Sequence, residues 1–199
     1  PYPTRESKRQ EFYYALAGGA KGISYWWFKK PNGLGTQEPE AMQLWYEMGL
    51  IGNEAKTISP LIVNSHPVSM QITGTNGVWA RAAASGTDAM ILYVLNDNYY
   101  NDISGCHYTP INNAIVTASL PTWLTSSPTA FEVTPGGLSN VTTQLNGNQL
   151  QLSLGTLNLT RMIVITSNPL LRGLIQQRYD EKVRPGICSF APTLCPSAT

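Results

Sequence analysis

Apolar residues in the first sixty positions recur mainly with helical spacing. Phe12, Tyr13, Leu16 and Ala17 fall on one face of a segment that Thr4 can cap and Gly18-Gly19 can stop, which predicts a helix to about Ala17. Ala20-Lys21 then leads into Gly-Ile-Ser-Tyr-Trp-Trp-Phe, residues 22–28. A run so short, aromatic and apolar is expected of a strand buried on both faces, as in parallel sheets. A loop with turn chemistry follows over 29–35. Thr36 can cap a second helix, with Glu38, Pro39 and Glu40 in the first turn, where acids and proline are favoured. Ala41, Leu44, Trp45 and Met48 mark its buried stripe, continued after a bend near Gly49 and Gly52 by Ala55, Ile58 and Ile62. The predicted order is helix, buried strand, helix.

From Pro67 the period changes from 3.6 to 2. Strands are predicted near 68–73, 77–84, 88–96, 113–119, 129–133, 138–145, 148–154 and 158–166, separated by turn signals such as Pro-Gly-Gly and Asn-Gly-Asn. The strict alternation of residues 149–154 gives one wet and one packed face, and eight short strands at this spacing argue for an antiparallel sandwich. Residues 96–113 read as a long loop, and a short amphipathic helix runs from Leu170 to about Val183. The chain thus divides into segments 1–62, 67–167 and 168–199.

Composition narrows the setting. Of 199 residues 42% are apolar, enough for a core, yet only 13% are charged against about a quarter in an average soluble protein. Asn, Thr, Ser, Gln and Tyr supply the polarity, as in extracellular β-domains. A net charge of +1 leaves no electrostatic footprint for nucleic acid or an anionic membrane. No apolar run reaches the ~18 residues of a membrane span. Cys188 and Cys195 are either a disulfide closing a small loop or two free thiols, and the disulfide is expected. Cys106 is then a buried thiol or pairs outside the chain. The sequons at Asn140 and Asn158 agree with an exported protein. The three cysteines and two histidines lack zinc-site spacing, and no cofactor is expected.

The stretches ALAGGAKGISYWWF (15–28) and EAMQLWYEMGLIGNEAKTISPLI (40–62) resemble the end of the catalytic barrel in retaining, two-glutamate glycoside hydrolases. AMILYVLND (89–97) and RMIVITSNPLL (161–171) look like strands of the β-sandwich appended to such barrels. The resemblance implies a mixed fold: the helix–strand–helix end of a (β/α)-barrel, an all-β antiparallel sandwich and a short C-terminal helix. In that family the acid/base and nucleophile follow the fourth and seventh barrel strands, upstream of Pro1. This chain would then be a secreted hydrolase portion without catalytic residues, inactive alone. Its partners would be carbohydrate and either the missing barrel or further copies of the chain.

At the C-terminal end of a barrel strand the loop faces the active site, so the resemblance makes Trp26, Trp27, Lys29 and Asn32 substrate-binding candidates. Successive side chains of a strand point to opposite faces, so one tryptophan should reach the cleft and stack on a sugar. Residues 98–102 with His107 and Tyr108 form a second candidate for sugar hydroxyls, and Asp97 and Asp102 for calcium. The alternative is a non-enzymatic extracellular sandwich with a structural, adhesive or filament-forming role.

Overall fold

The computed structural model describes residues 3–25 and 38–195. Three helices come first: α1 (Arg5–Ala17), α2 (Pro39–Thr57) and α3 (Ser59–Val63). The strands are β1 (Ser65–Val68), β2 (Ile72–Gly74), β3 (Val78–Ser85), β4 (Ala89–Asn96), β5 (Tyr99–Asp102), β6 (Gly105–Tyr108), β7 (Ile111–Ser119), β8 (Thr129–Thr134), β9 (Gly137–Asn140), β10 (Thr142–Asn146), β11 (Gln149–Leu157) and β12 (Thr160–Thr166). Helices α4 (Leu171–Arg178) and α5 (Arg184–Phe190) close the chain, joined by a π-helical turn at Tyr179–Val183.

Strands β1-β3-β4-β12-β8-β9 form a six-stranded sheet, β10-β11-β7-β2 a four-stranded sheet, and β5-β6 a hairpin. All pairings among the described residues are antiparallel. Alternation along β4 explains the layering. Met90, Leu92 and Val94 face the four-stranded sheet, with Ile163 and Ile165 of β12 beside them. Ile91, Tyr93 and Leu95 face the other way, with Met162 and Val164, into a core completed by Phe12, Leu16, Ile51, Ile58 and Ile62. The six-stranded sheet is therefore a middle layer, covered by the smaller sheet on one face and by helices on the other. Burying each such side chain contributes roughly 1.5–3 kcal/mol.

This arrangement corrects the barrel-end expectation. Among the described residues there is no helix–strand–helix unit: residues 22–25 form no strand, and Gly22, Ser24 and Tyr25 are exposed. Residues 26–28 lie outside the described part. The physical reason is that the chain's own middle sheet covers the stripes of α1, α2 and α3, so a parallel sheet is not needed to bury them. Among the described residues, α1, α2 and α3 find their cover within the chain itself.

Two predicted strands are each two. The 68–73 segment splits at Ser69–Gln71 into β1 of the large sheet and β2 of the small one, and 138–145 splits at Val141 into β9 and β10 in the same way. These are the crossovers that hold the layers in register. The predicted loop at 96–113 contains the β5–β6 hairpin. The closing helix is α4, the π-helical turn and α5, with Tyr179, Val183 and Ile187 buried against Leu50. Cys188 and Cys195 are joined in a disulfide, and Cys106 is a half-buried free thiol.

Candidate functional site

The polar chemistry concentrates in three places. Beneath α1 and α2, Arg9 chelates the Glu54 carboxylate, with Nη1 donating to Oε2 at 3.1 Å and Nη2 to Oε1. Tyr13 donates its hydroxyl to Glu54 Oε2 at 2.7 Å, and Glu47 lies 3.3 Å from the guanidinium. Glu54 is only 2% exposed. Burial pushes its carboxyl up to about 7, against the opposing pull of Arg9 and Tyr13. Both glutamates are turned onto one arginine rather than toward an open cleft, so this cluster ties α1 to α2.

The second place is the tip of the β5–β6 hairpin. Asp102 Oδ1 accepts from the Ser104 amide (2.8 Å), the Ser104 hydroxyl (2.6 Å) and His107 Nε2 (3.0 Å). The hydrogen bonds from Ser104, and then that from His107, hold this exposed carboxyl down to about 2. Ser104 Oγ also meets His107 Nε2, at 2.9 Å. A nucleophilic triad engages the two imidazole nitrogens with different partners. Here serine and aspartate share one nitrogen, so the cluster locks a turn. Cross-strand pairing stacks Tyr100 on His107 (4.9 Å) and sets Tyr99 against Tyr108 (5.6 Å). Asp97 accepts from the Tyr14 hydroxyl at 3.1 Å, apart from Asp102. Among the described residues no group of three or more His, Cys, Asp or Glu side chains is placed to hold a metal ion.

The third place is a set of surface clefts. One of about 760 Å³ lies where the first turns of α1 and α2 converge, lined by Thr4, Arg5, Glu6, Glu40 and Gln43 and closed by Ser104 of the hairpin. Thr4 caps α1 there, accepting from the Ser7 amide at 3.1 Å, and Arg5 pairs with Glu6 at 2.7 Å. Another, of about 390 Å³, lies where the chain crosses from β1 to β2 and includes Trp123. Sequence reasoning passed over Trp123, although Pro121-Thr-Trp-Leu between two strands signals an aromatic residue on a constrained turn.

Trp26, Trp27, Lys29 and Asn32 lie outside the described residues. Asn140 and Asn158 are both exposed on the sandwich, at the end of β9 and between β11 and β12. Among the described residues no helix is long and apolar enough to cross a membrane.

No protein-family profile and no curated protein matches the chain. Among solved structures it is similar to alpha-L-fucosidase isoenzyme 2 from Paenibacillus thiaminolyticus, at 14% identity and a TM-score of 0.37, over 51% of this chain and 16% of that one. The chain thus spans a small part of that structure's length, and at this TM-score the likeness carries no argument.

Proposed function

We propose that the chain is a non-catalytic, carbohydrate-binding portion of an extracellular glycoside hydrolase. The observation that carries the reading is a surface poor in charge on which Tyr14, Tyr99, Tyr100, Trp45 and Trp123 stand at least one-third exposed. Exposed aromatic faces beside amides and hydroxyls suit the apolar faces and hydroxyls of sugars. The resemblance of residues 89–97 and 161–171 to a sandwich appended to hydrolase barrels supplies the hydrolase context, and Trp26, Trp27, Lys29 and Asn32 remain proposed substrate contacts. Retaining hydrolysis needs two carboxyls about 5–5.5 Å apart across an open sugar site. Glu47 and Glu54, which share Arg9, are no such pair. In a glycosylating cell Asn140 and Asn158 are the acceptor sites.

A second reading, a structural or adhesive protein, draws on the outward side of α2. There Met42 and Trp45 are about half exposed, and Tyr46 stacks on Phe190 at 5.0 Å. Native gels cast with cellulose derivatives, xylan, galactomannan or pectin separate the two, together with a panel of aryl glycosides. Retardation by a polysaccharide without turnover of any glycoside is expected. A chain that runs unretarded in every gel, or turns over a glycoside, contradicts the proposal.

A further inference from the structure

The crossover between the two sheets opens a cleft that the sequence resemblance does not assign. Ser69–Gln71 carries the chain from the edge of the six-stranded sheet to the edge of the four-stranded one. Opposite it, the chain leaves β7 through Pro121 into a single 3-10 turn, Thr122–Leu124. Leu120 and Leu124 are both sunk in the inter-sheet core, 2% and 0% exposed. The turn is closed by the Leu124 amide donating to the Pro121 carbonyl at 2.9 Å and by the Thr125 hydroxyl donating to the Thr122 carbonyl at 2.9 Å. Trp123 is thereby held between two anchored leucines with its side chain still 41% exposed. More than half of this residue is buried, while the rest stays open beside the cleft.

What surrounds the ring defines the ligand. Met90 forms a buried floor, and Val68 and Met70 the wall, of a space of about 390 Å³, within the range of small-molecule pockets. The rim is neutral and polar. The exposed Gln71 side chain and the Ser69 hydroxyl have no intramolecular partner among the described residues. The Ser119 hydroxyl accepts from Gln149 Nε2 at 2.7 Å, which leaves its own proton to donate outward. Beyond the shared Val68–Gln71 wall a second cleft of about 480 Å³ opens beside the exposed Arg81. A flat aromatic face, an amide, two hydroxyls and no carboxylate fit an uncharged ring carrying several hydroxyls.

We propose that the Trp123 cleft is a saccharide-binding subsite: one pyranose lies with its apolar face on the indole, its hydroxyls meet Gln71, Ser69 and Ser119, and the glycan continues past the crossover toward Arg81. The assignment rests on the carbohydrate reading above and locates it in the sandwich. It is tested with the whole chain in the same polysaccharide gels, using Trp123→Ala, Trp123→Phe, Gln71→Ala and, as a control on the exposed side of α4, Leu174→Ala. Trp123→Ala should weaken retention about tenfold or more, as loss of a central aromatic anchor does, measured at a temperature where its melting curve shows it fully folded. Trp123→Phe should retain part of the affinity and Leu174→Ala all of it. If the native chain binds and Trp123→Ala binds equally well, the subsite is overturned while the carbohydrate reading stands. If the native chain binds no polysaccharide, both fail.

Discussion

Replacing Arg9 by Met tests the packing of helices onto sheet at its most sensitive point. The Glu54 carboxylate has two guanidinium donors and the Tyr13 hydroxyl as partners, in a place where it is 2% exposed. Removing one partner of a buried ion pair costs about 3–5 kcal/mol, because the remaining charge stays desolvated. Glu54 can escape that cost by taking a proton, so the loss depends on pH. Its folded value, about 7, already lies above the ordinary 4.5. A raised folded value means that the native state holds the proton more tightly. Its contribution is complete below 4.5 and is lost as pH rises through about 7, at ~1.4 kcal/mol per pH unit in the window. Without Arg9 the folded value moves higher still, and the decline extends beyond pH 7. Urea unfolding followed by tryptophan fluorescence should give a loss of about 3–5 kcal/mol at pH 8 and a clearly smaller one at pH 5. Arg9→Met combined with Glu54→Leu should recover most of the stability, since apolar replacements of buried pairs are often neutral. A loss equal at both pH values, or below about 1 kcal/mol at pH 8, refutes the reasoning.

Asn96 is fully buried; its amide donates to the carbonyls of Thr109 and Asn158 at 2.8 Å each, and its oxygen accepts from the Asn98 amide. Asn96→Asp sets a carboxylate oxygen against those carbonyls and should cost about 3 kcal/mol at pH 8 in the same urea assay. Gly19, which follows α1 at φ +102°, has Pro67 Cγ only 3.0 Å from where a Cβ would stand. Gly19→Ala should therefore lower stability by about 1–2 kcal/mol, read as a lower melting temperature.

The sandwich was legible because residues 89–95 and 162–165 are apolar at every position and turn signals bracket them. Those runs also held the unread half of the fold. A strand apolar on both faces needs two covering layers, and here the second is α1–α3 rather than more sheet. The same rule, applied to residues 22–28, predicted a parallel strand where Ile23 merely packs at the margin of that layer. Period-2 reading also cannot see a strand change sheets: 68–73 and 138–145 keep their alternation across the crossovers at Ser69–Gln71 and Val141. Tyr99-Tyr100 and His107-Tyr108 read as loop because Asn and Asp dominate the flanks, although their cross-strand register is regular. Of the candidate chemistry, the cysteine pair was visible in its spacing. The Trp123 cleft was not, because it is assembled from a crossover and a turn about fifty residues apart.

The most direct test of a carbohydrate-binding, non-hydrolytic role is calorimetric titration of the chain with the polysaccharide that retards it most, with reducing ends counted in the same cell afterwards. Saturable heat with no new reducing ends is the expected result. Absence of saturable heat, or reducing ends that accumulate with time, would contradict it.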